Sequence, residues 1–206
     1  MLASLLVTGA AILQTVTFDD SMALPQGWSS GVTGHGAAKW EVVADSTAVS
    51  APNVLRQSGE ATFCWAVDPR QRIRDGFAEV KIKPISGKED QAGGLVWRFQ
   101  DANNYYVVRA NALEGNVVLY KTVNGKRSSL QVKGRMFGYG VDTEVPKGKW
   151  STLRVDFAGN SFTVTFNGKK LFDVEDETFQ GEGGVGLWTK ADSVTLFDDF
   201  KYGASK

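Results

Sequence analysis

The chain has 206 residues, 42% of them hydrophobic and 22% charged, the mix of a folded protein with a substantial core. Lys and Arg number 23 and Asp and Glu number 23, so the net charge is zero, which excludes a binder that tracks nucleic-acid phosphates with a basic field. The single cysteine, Cys64, excludes an intrachain disulfide and a thiolate metal cluster, and the single histidine, His35, leaves the usual zinc and Ser/His/Asp schemes short of parts.

The chain opens with an apolar, uncharged stretch, residues 1–13. A membrane-spanning helix takes about 20 residues, so this one is too short. It fits the apolar region of a secretory signal, with Gly9-Ala10-Ala11 as a small-residue cleavage site, although the first basic residue is Lys39. The expectation is an exported protein, periplasmic or extracellular, whose folded domain covers 14–206. The other reading is a first strand in a cytosolic protein.

Gln14 to Asp19 reads as a strand. Ser21 to Lys39 reads as a loop, with His35 among Gly31, Gly34 and Gly36. Trp40–Val43, Val54–Gln57 and Phe63–Val67 read as short strands. Cys64, between aromatics, reads as a small buried hydrophobe. Gly76 to Lys83 alternates cleanly, with Ala78, Val80 and Ile82 on one face and Glu79, Lys81 and Lys83 on the other.

A meander follows, from Gly93 to Lys121. Three β-branched and aromatic runs are separated by Asp101-Ala102-Asn103-Asn104 and by Glu114-Gly115-Asn116, and Asn124-Gly125 closes the third. Arg127 to Pro146 is looser, with Phe137-Gly138-Tyr139-Gly140 as a surface loop or short hairpin. Leu153–Phe157 and Ser161–Phe166 are strands, and Asn167-Gly168 is a strong hairpin turn into Leu171–Val174. A Gly-rich strand, Gly183–Thr189, precedes a last one, Val194–Tyr202. Trp97 and Trp150 are expected in the core. No segment keeps a helical period. More than ten short strands predict an all-β, antiparallel sandwich of two stacked sheets.

The order of motifs resembles the concanavalin A-like, laminin-G-like jelly roll, and is most similar to the 3-keto-disaccharide hydrolase-like domains of exported bacterial proteins. The residues that carry the resemblance are Gly93-Gly94-Leu95-Val96-Trp97-Arg98, Tyr105–Arg109 and Gly148-Lys149-Trp150. It continues with Phe162–Asp173, Gly184-Val185-Gly186-Leu187-Trp188 and Phe197-Asp198-Asp199-Phe200. Laminarinase-like glycosidases share this architecture and carry a Glu-x-Asp-x-x-Glu strand. The comparable strands here read Val-Trp-Arg-Phe and Tyr-Val-Val-Arg, so that retaining chemistry is not expected.

Strand parity places Arg98 with Val96 and Gln100, and Arg109 with Tyr105, Val107 and Asn111. The resemblance implies a concave sheet that presents polar and aromatic groups. Arg98, Arg109 and Asn111 are expected to meet there with Trp188 and Lys190, and Glu79 adds an acceptor. Sugars suit such a surface, because planar polar groups bind hydroxyls and an aromatic face covers the apolar side of the ring. The alternative is that the arginines are solvated or ion-paired strand residues. The acidic doublets Asp19-Asp20 and Asp198-Asp199 suggest either a structural calcium, with Asp19 and Asp199 as ligands, or a charged sheet edge. Three functions follow: a non-catalytic, lectin-like carbohydrate binder, a glycoside hydrolase of the 3-keto-disaccharide type, or an adhesion module. The partner expected is a carbohydrate, with neither nucleic acid nor a membrane span.

Overall fold

A computed structural model describes residues 13–20, 22–136 and 138–205. The apolar stretch at residues 1–13 lies outside the described residues except for Leu13. The described residues form sixteen strands and no helix. They are β1 (Gln14–Val16), β2 (Ser29–Ala37), β3 (Trp40–Ala44), β4 (Asn53–Gln57), β5 (Glu60–Ile73) and β6 (Gly76–Ser86). The meander is β7 (Ala92–Asp101), β8 (Asn104–Asn111) and β9 (Asn116–Val123). Then come β10 (Lys126–Ser129), β11 (Val141–Asp142), β12 (Ser151–Ala158), β13 (Ser161–Phe166), β14 (Lys169–Glu175), β15 (Gly183–Ala191) and β16 (Val194–Ala204).

The strands divide into two antiparallel sheets. One runs β14-β13-β12-β6-β16-β4-β3, with β1 also on β16. The other runs β10-β9-β8-β7-β15-β5-β2, with β11 also on β9. The sandwich is therefore an all-β jelly roll. First and last strands pair side by side, Thr15 opposite Lys201. Asn124-Gly125 and Asn167-Gly168 turn two hairpins with positive φ at both residues, 50° and 76° in the first and 48° and 77° in the second. That is the primed turn whose twist suits paired strands.

Alternation along each strand builds the core. Val80, Leu153, Val155, Phe162 and Phe197 of the first sheet meet Leu95, Trp97, Tyr106, Val108, Leu119 and Leu187 of the second. Trp97 stacks on Tyr106 at 5.5 Å and on Phe157 at 6.0 Å. Each fully buried large apolar side chain here stabilises the fold by about 1.5–3 kcal/mol. No helix among the described residues is long and apolar enough to cross a membrane.

Two expectations are corrected. The glycines around His35 belong to strand β2 and not to a loop. They serve close packing: a Cβ at Gly31 would lie 2.6 Å from the Trp65 ring, and Gly34 and Gly36 take positive φ where the register with β5 slips. Trp150 is half-buried at the surface and not in the core. Its Nε1 donates to the Thr47 carbonyl at 2.5 Å, and Lys83 Nζ lies 5.6 Å from its ring.

Candidate functional site

The second sheet has an outer, concave face, and its register can be followed across the strands. Trp65, Trp188, Gly94, Arg109 and Val118 stand opposite one another in a single row across β5, β15, β7, β8 and β9. The next row holds Phe63 and Lys190, then Ala92, Asn111 and Asn116. A third carries Val67, Gly186, Val96, Val107 and Tyr120. Small residues on β7 and β15 make room. A Cβ at Gly94 would sit 3.1 Å from that of Arg109.

Aromatics line the floor of this face. Phe63 lies 5.2 Å from Trp188, Trp65 5.0 Å from Phe99, and Phe99 stacks on Tyr105 at 5.4 Å. The sheet curls so far that edge strand β2 touches the β7–β8 turn. Thr33 Oγ1 donates to the Ala102 carbonyl and shares a hydrogen bond of 2.9 Å with the Tyr105 hydroxyl. Thr33 and Tyr105 are both fully buried.

Polar groups collect over the floor. The Asp90 carboxylate is buried between Lys190 Nζ and Asn111 Nδ2, both of which donate to it. Arg109 Nη2 donates to Glu114 at 2.7 Å, to the Tyr120 hydroxyl at 3.0 Å and to the Tyr139 hydroxyl at 3.3 Å, and Nη1 donates to Asn116 Oδ1. The two tyrosine hydroxyls also bond each other. Burial alone would raise the Glu114 carboxyl. The charge and hydrogen bond of Arg109, with Asn116 and Lys190, hold it below the usual range instead. Arg127, on edge strand β10, folds its guanidinium over Tyr120 (4.1 Å), Phe63 (4.7 Å) and Trp188 (5.4 Å). Beside Phe63 and Lys190 opens a cleft of about 600 Å³, lined also by His35, Glu60, Thr62 and Glu89.

The loop that supplies Asp90 is itself held. Asp192 accepts from the backbone N–H of Lys88 (2.6 Å), Glu89 (3.0 Å) and Asp90 (3.0 Å). Ser193 Oγ accepts from Ala92 N at 3.0 Å.

Of the residues singled out in the sequence, Arg109, Asn111, Trp188 and Lys190 come together on this face. Arg98 does not join them. It is fully buried with φ of 45°, where the β7–β8 register slips between Trp97 and Asp101. The slip breaks simple parity and turns the guanidinium toward Phe162 in the core, 5.5 Å away. There it donates to the carbonyls of Arg74 (2.9 Å), Phe179 (2.7 Å) and Gly159 (2.7 Å). Glu79 lies on the other sheet, where Arg154 reaches it at 3.4 Å.

The acidic doublets have protein partners of their own. Asp19 Oδ1 accepts from Asn53 N at 3.0 Å, and Asp199 lies 3.7 Å from Lys201 Nζ. Asp198 is buried and accepts from Val49 N, Ser50 N, Ser50 Oγ and Asp199 N. Among the described residues no three His, Cys, Asp or Glu side chains are grouped to hold a metal ion.

Phe63, Tyr120 and Tyr139 belong to the site without having been singled out, and Arg127 packs over its aromatic floor. Period-2 alternation puts Tyr120 and Phe63 on a face, but only the insertion of β15 between β5 and β7 brings those faces together.

The 3-keto-alpha-glucoside-1,2-lyase-like domain model matches residues 14–201. No curated protein matches the sequence. Among solved structures, the chain is similar to carbohydrate-binding module CBM66 from Bacillus subtilis, with 20% identity, TM-score 0.67, and 84% of this chain and 93% of that one covered. It is also similar to the beta-glucanase of Bacillus licheniformis, with 14% identity, TM-score 0.57, and 97% and 100% covered. A Bacillus subtilis protein described as having a galectin-like fold aligns at 12% identity, TM-score 0.58, with 85% and 88% covered. At such identities the likeness is one of fold.

Proposed function

Since the chain belongs to the 3-keto-alpha-glucoside-1,2-lyase-like domain family, we propose that it binds a glycoside at the mouth of its concave sheet. One observation carries this reading. Lys190 and Phe63 line a cleft of about 600 Å³, and the Arg109–Glu114–Tyr139 cluster lies on the same face of the sheet. That volume lies in the range of small-molecule sites. Lys190 and the exposed Tyr139 hydroxyl offer donors to sugar oxygens, Glu114 offers an acceptor, and buried Arg109 holds Glu114 and Tyr139 in place. Phe63 gives an apolar edge for the C–H face of a ring.

The test is titration calorimetry with methyl glycosides and their 3-keto forms. The expected result is saturable heat, lost in Lys190→Ala and Arg109→Ala variants that still unfold cooperatively. Unchanged affinity in both variants would remove the site from this face.

The family name favours a second reading. A ketone at C3 acidifies the C2 hydrogen. A base that removes it forms C1=C2 and expels the C1 oxygen, which leaves as an alcohol after taking a proton. Glu114 is the carboxylate of the cluster that would take that proton, its pairing with Arg109 making it a weaker base than a free glutamate, and Lys190 is the cation suited to the oxygen that gains charge. Mass spectrometry of a 3-keto disaccharide after incubation tests it: an unsaturated keto sugar plus a free monosaccharide is the expected pair. An intact substrate would confine the site to binding.

A further inference from the structure

Three cations lie around the mouth, and they are not equivalent. Lys190 is neutralised by Asp90 and Arg109 by Glu114. Arg127 has no carboxylate partner among the described residues. Three aromatic faces hold it instead, with its carbon 4.1 Å from the Tyr120 centroid and 4.7 Å from that of Phe63. Its Nη1 is buried and donates to nothing among the described residues.

A guanidinium that stacks on rings spends its face and keeps its edge. The edge carries N–H donors in a fixed fork that matches two coplanar oxygens. Burying an N–H of a charged group without an acceptor is costly, so such groups are normally paired. The arrangement is that of a guanidinium held by Tyr120, Phe63 and Trp188 with no anion of its own among the described residues. Glu60 and Glu89, on the rim of the cleft beside Phe63, are exposed, and water screens them.

We infer that Arg127 is a specificity-determining residue for a carboxylate on the bound sugar, so that the preferred ligands are acidic glycosides of the uronic-acid class. This rests on the proposed glycoside site. Two of the three cations have their counter-charge built in, and the third is left for the ligand to neutralise. The Asn124-Gly125 turn sets the register of the hairpin that presents it, Arg127 opposite Thr122.

The experiment compares methyl α-D-glucuronoside with methyl α-D-glucoside by titration calorimetry on the full chain, in low salt and again at high salt. The glucuronoside should bind at least about tenfold more tightly, and the preference should shrink as salt rises. Arg127→Gln should bring the ratio to about one while leaving the glucoside affinity within about twofold, and Arg127→Lys should keep only part of the preference. A wild-type ratio near one, with both sugars bound, would overturn the inference and leave the glycoside site standing. So would a preference that survives Arg127→Gln. Binding of neither sugar would overturn both. The wild-type comparison decides even if a variant folds poorly.

Discussion

Asp90 and Lys190 form an ion pair in which the aspartate side chain is fully buried and the lysine side chain is 28% exposed. The two come from strand ends far apart in the chain, so the pair ties the loop before β7 to the end of β15. Removing the amine leaves the carboxylate with Asn111 alone. Lys190→Met should cost about 2 kcal/mol, as a buried acceptor loses a charged donor. That lowers the melting temperature by roughly 4–8 °C in a chain of this size. A thermal scan showing no shift would mean that the pair contributes nothing net.

Arg98→Ala should separate stability from binding. Arg98 satisfies three backbone carbonyls in the core end of the sandwich, and its loss leaves them without a donor. The expected cost is about 3–5 kcal/mol, measured by urea unfolding. Sugar affinity, measured well below the new melting temperature, should stay within about twofold. A selective loss of affinity with stability intact would place Arg98 in the site after all.

Cys64 should be a poor nucleophile. It is fully buried, and burial pushes its thiol up to about 11. At pH 8 roughly one thiol in a thousand is then ionised, against about a quarter for an ordinary one. Reaction with a disulfide reagent should be at least about a hundredfold faster in denaturant than in the native state. Rapid native labelling would contradict the buried position.

Acid should loosen the loop that carries Asp90. Burial raises the Asp192 carboxyl, but the N–H groups of Lys88, Asp90 and Glu89 outweigh it and hold the group below its ordinary 3.8. A depressed carboxyl stabilises the fold above its unfolded value, and that stability is lost as pH falls through the folded one. Asp198 works in the opposite sense: burial raises it despite Ser50, so its protonation favours the folded state as pH falls. The melting temperature should therefore be flat above about pH 5 and fall below about pH 4. Asp192→Asn should start lower at neutral pH and lose less on acidification. A wild-type profile without the acid fall would show that the three bonds contribute little.

Much of this was legible in the sequence, for physical reasons. Alternation named the strands of the meander, and Asn-Gly pairs named two turns, because both signals are local. Alternation also put Arg109 and Asn111 on one face with Tyr105 and Val107. It failed at Arg98, where one slipped register reverses a side chain. It could not relate Glu79 to anything, because which sheet a strand joins is decided by pairing over long distances. Arg127 sits in a short polar edge strand with no periodic signal. Its role appears only once β10 is folded against rings from β5, β9 and β15. The glycines near His35 look like loop residues by composition, but one of them is there because the Trp65 ring leaves no space for a Cβ.

The closure of the curled sheet by Thr33 and Tyr105 has a consequence for the shape of what can enter. With those two side chains buried and bonded to each other, the groove is blind on that side. If a glycoside binds as proposed, its end sits in the cleft beside His35 and Lys190 and a long chain does not pass under Thr33 and Tyr105.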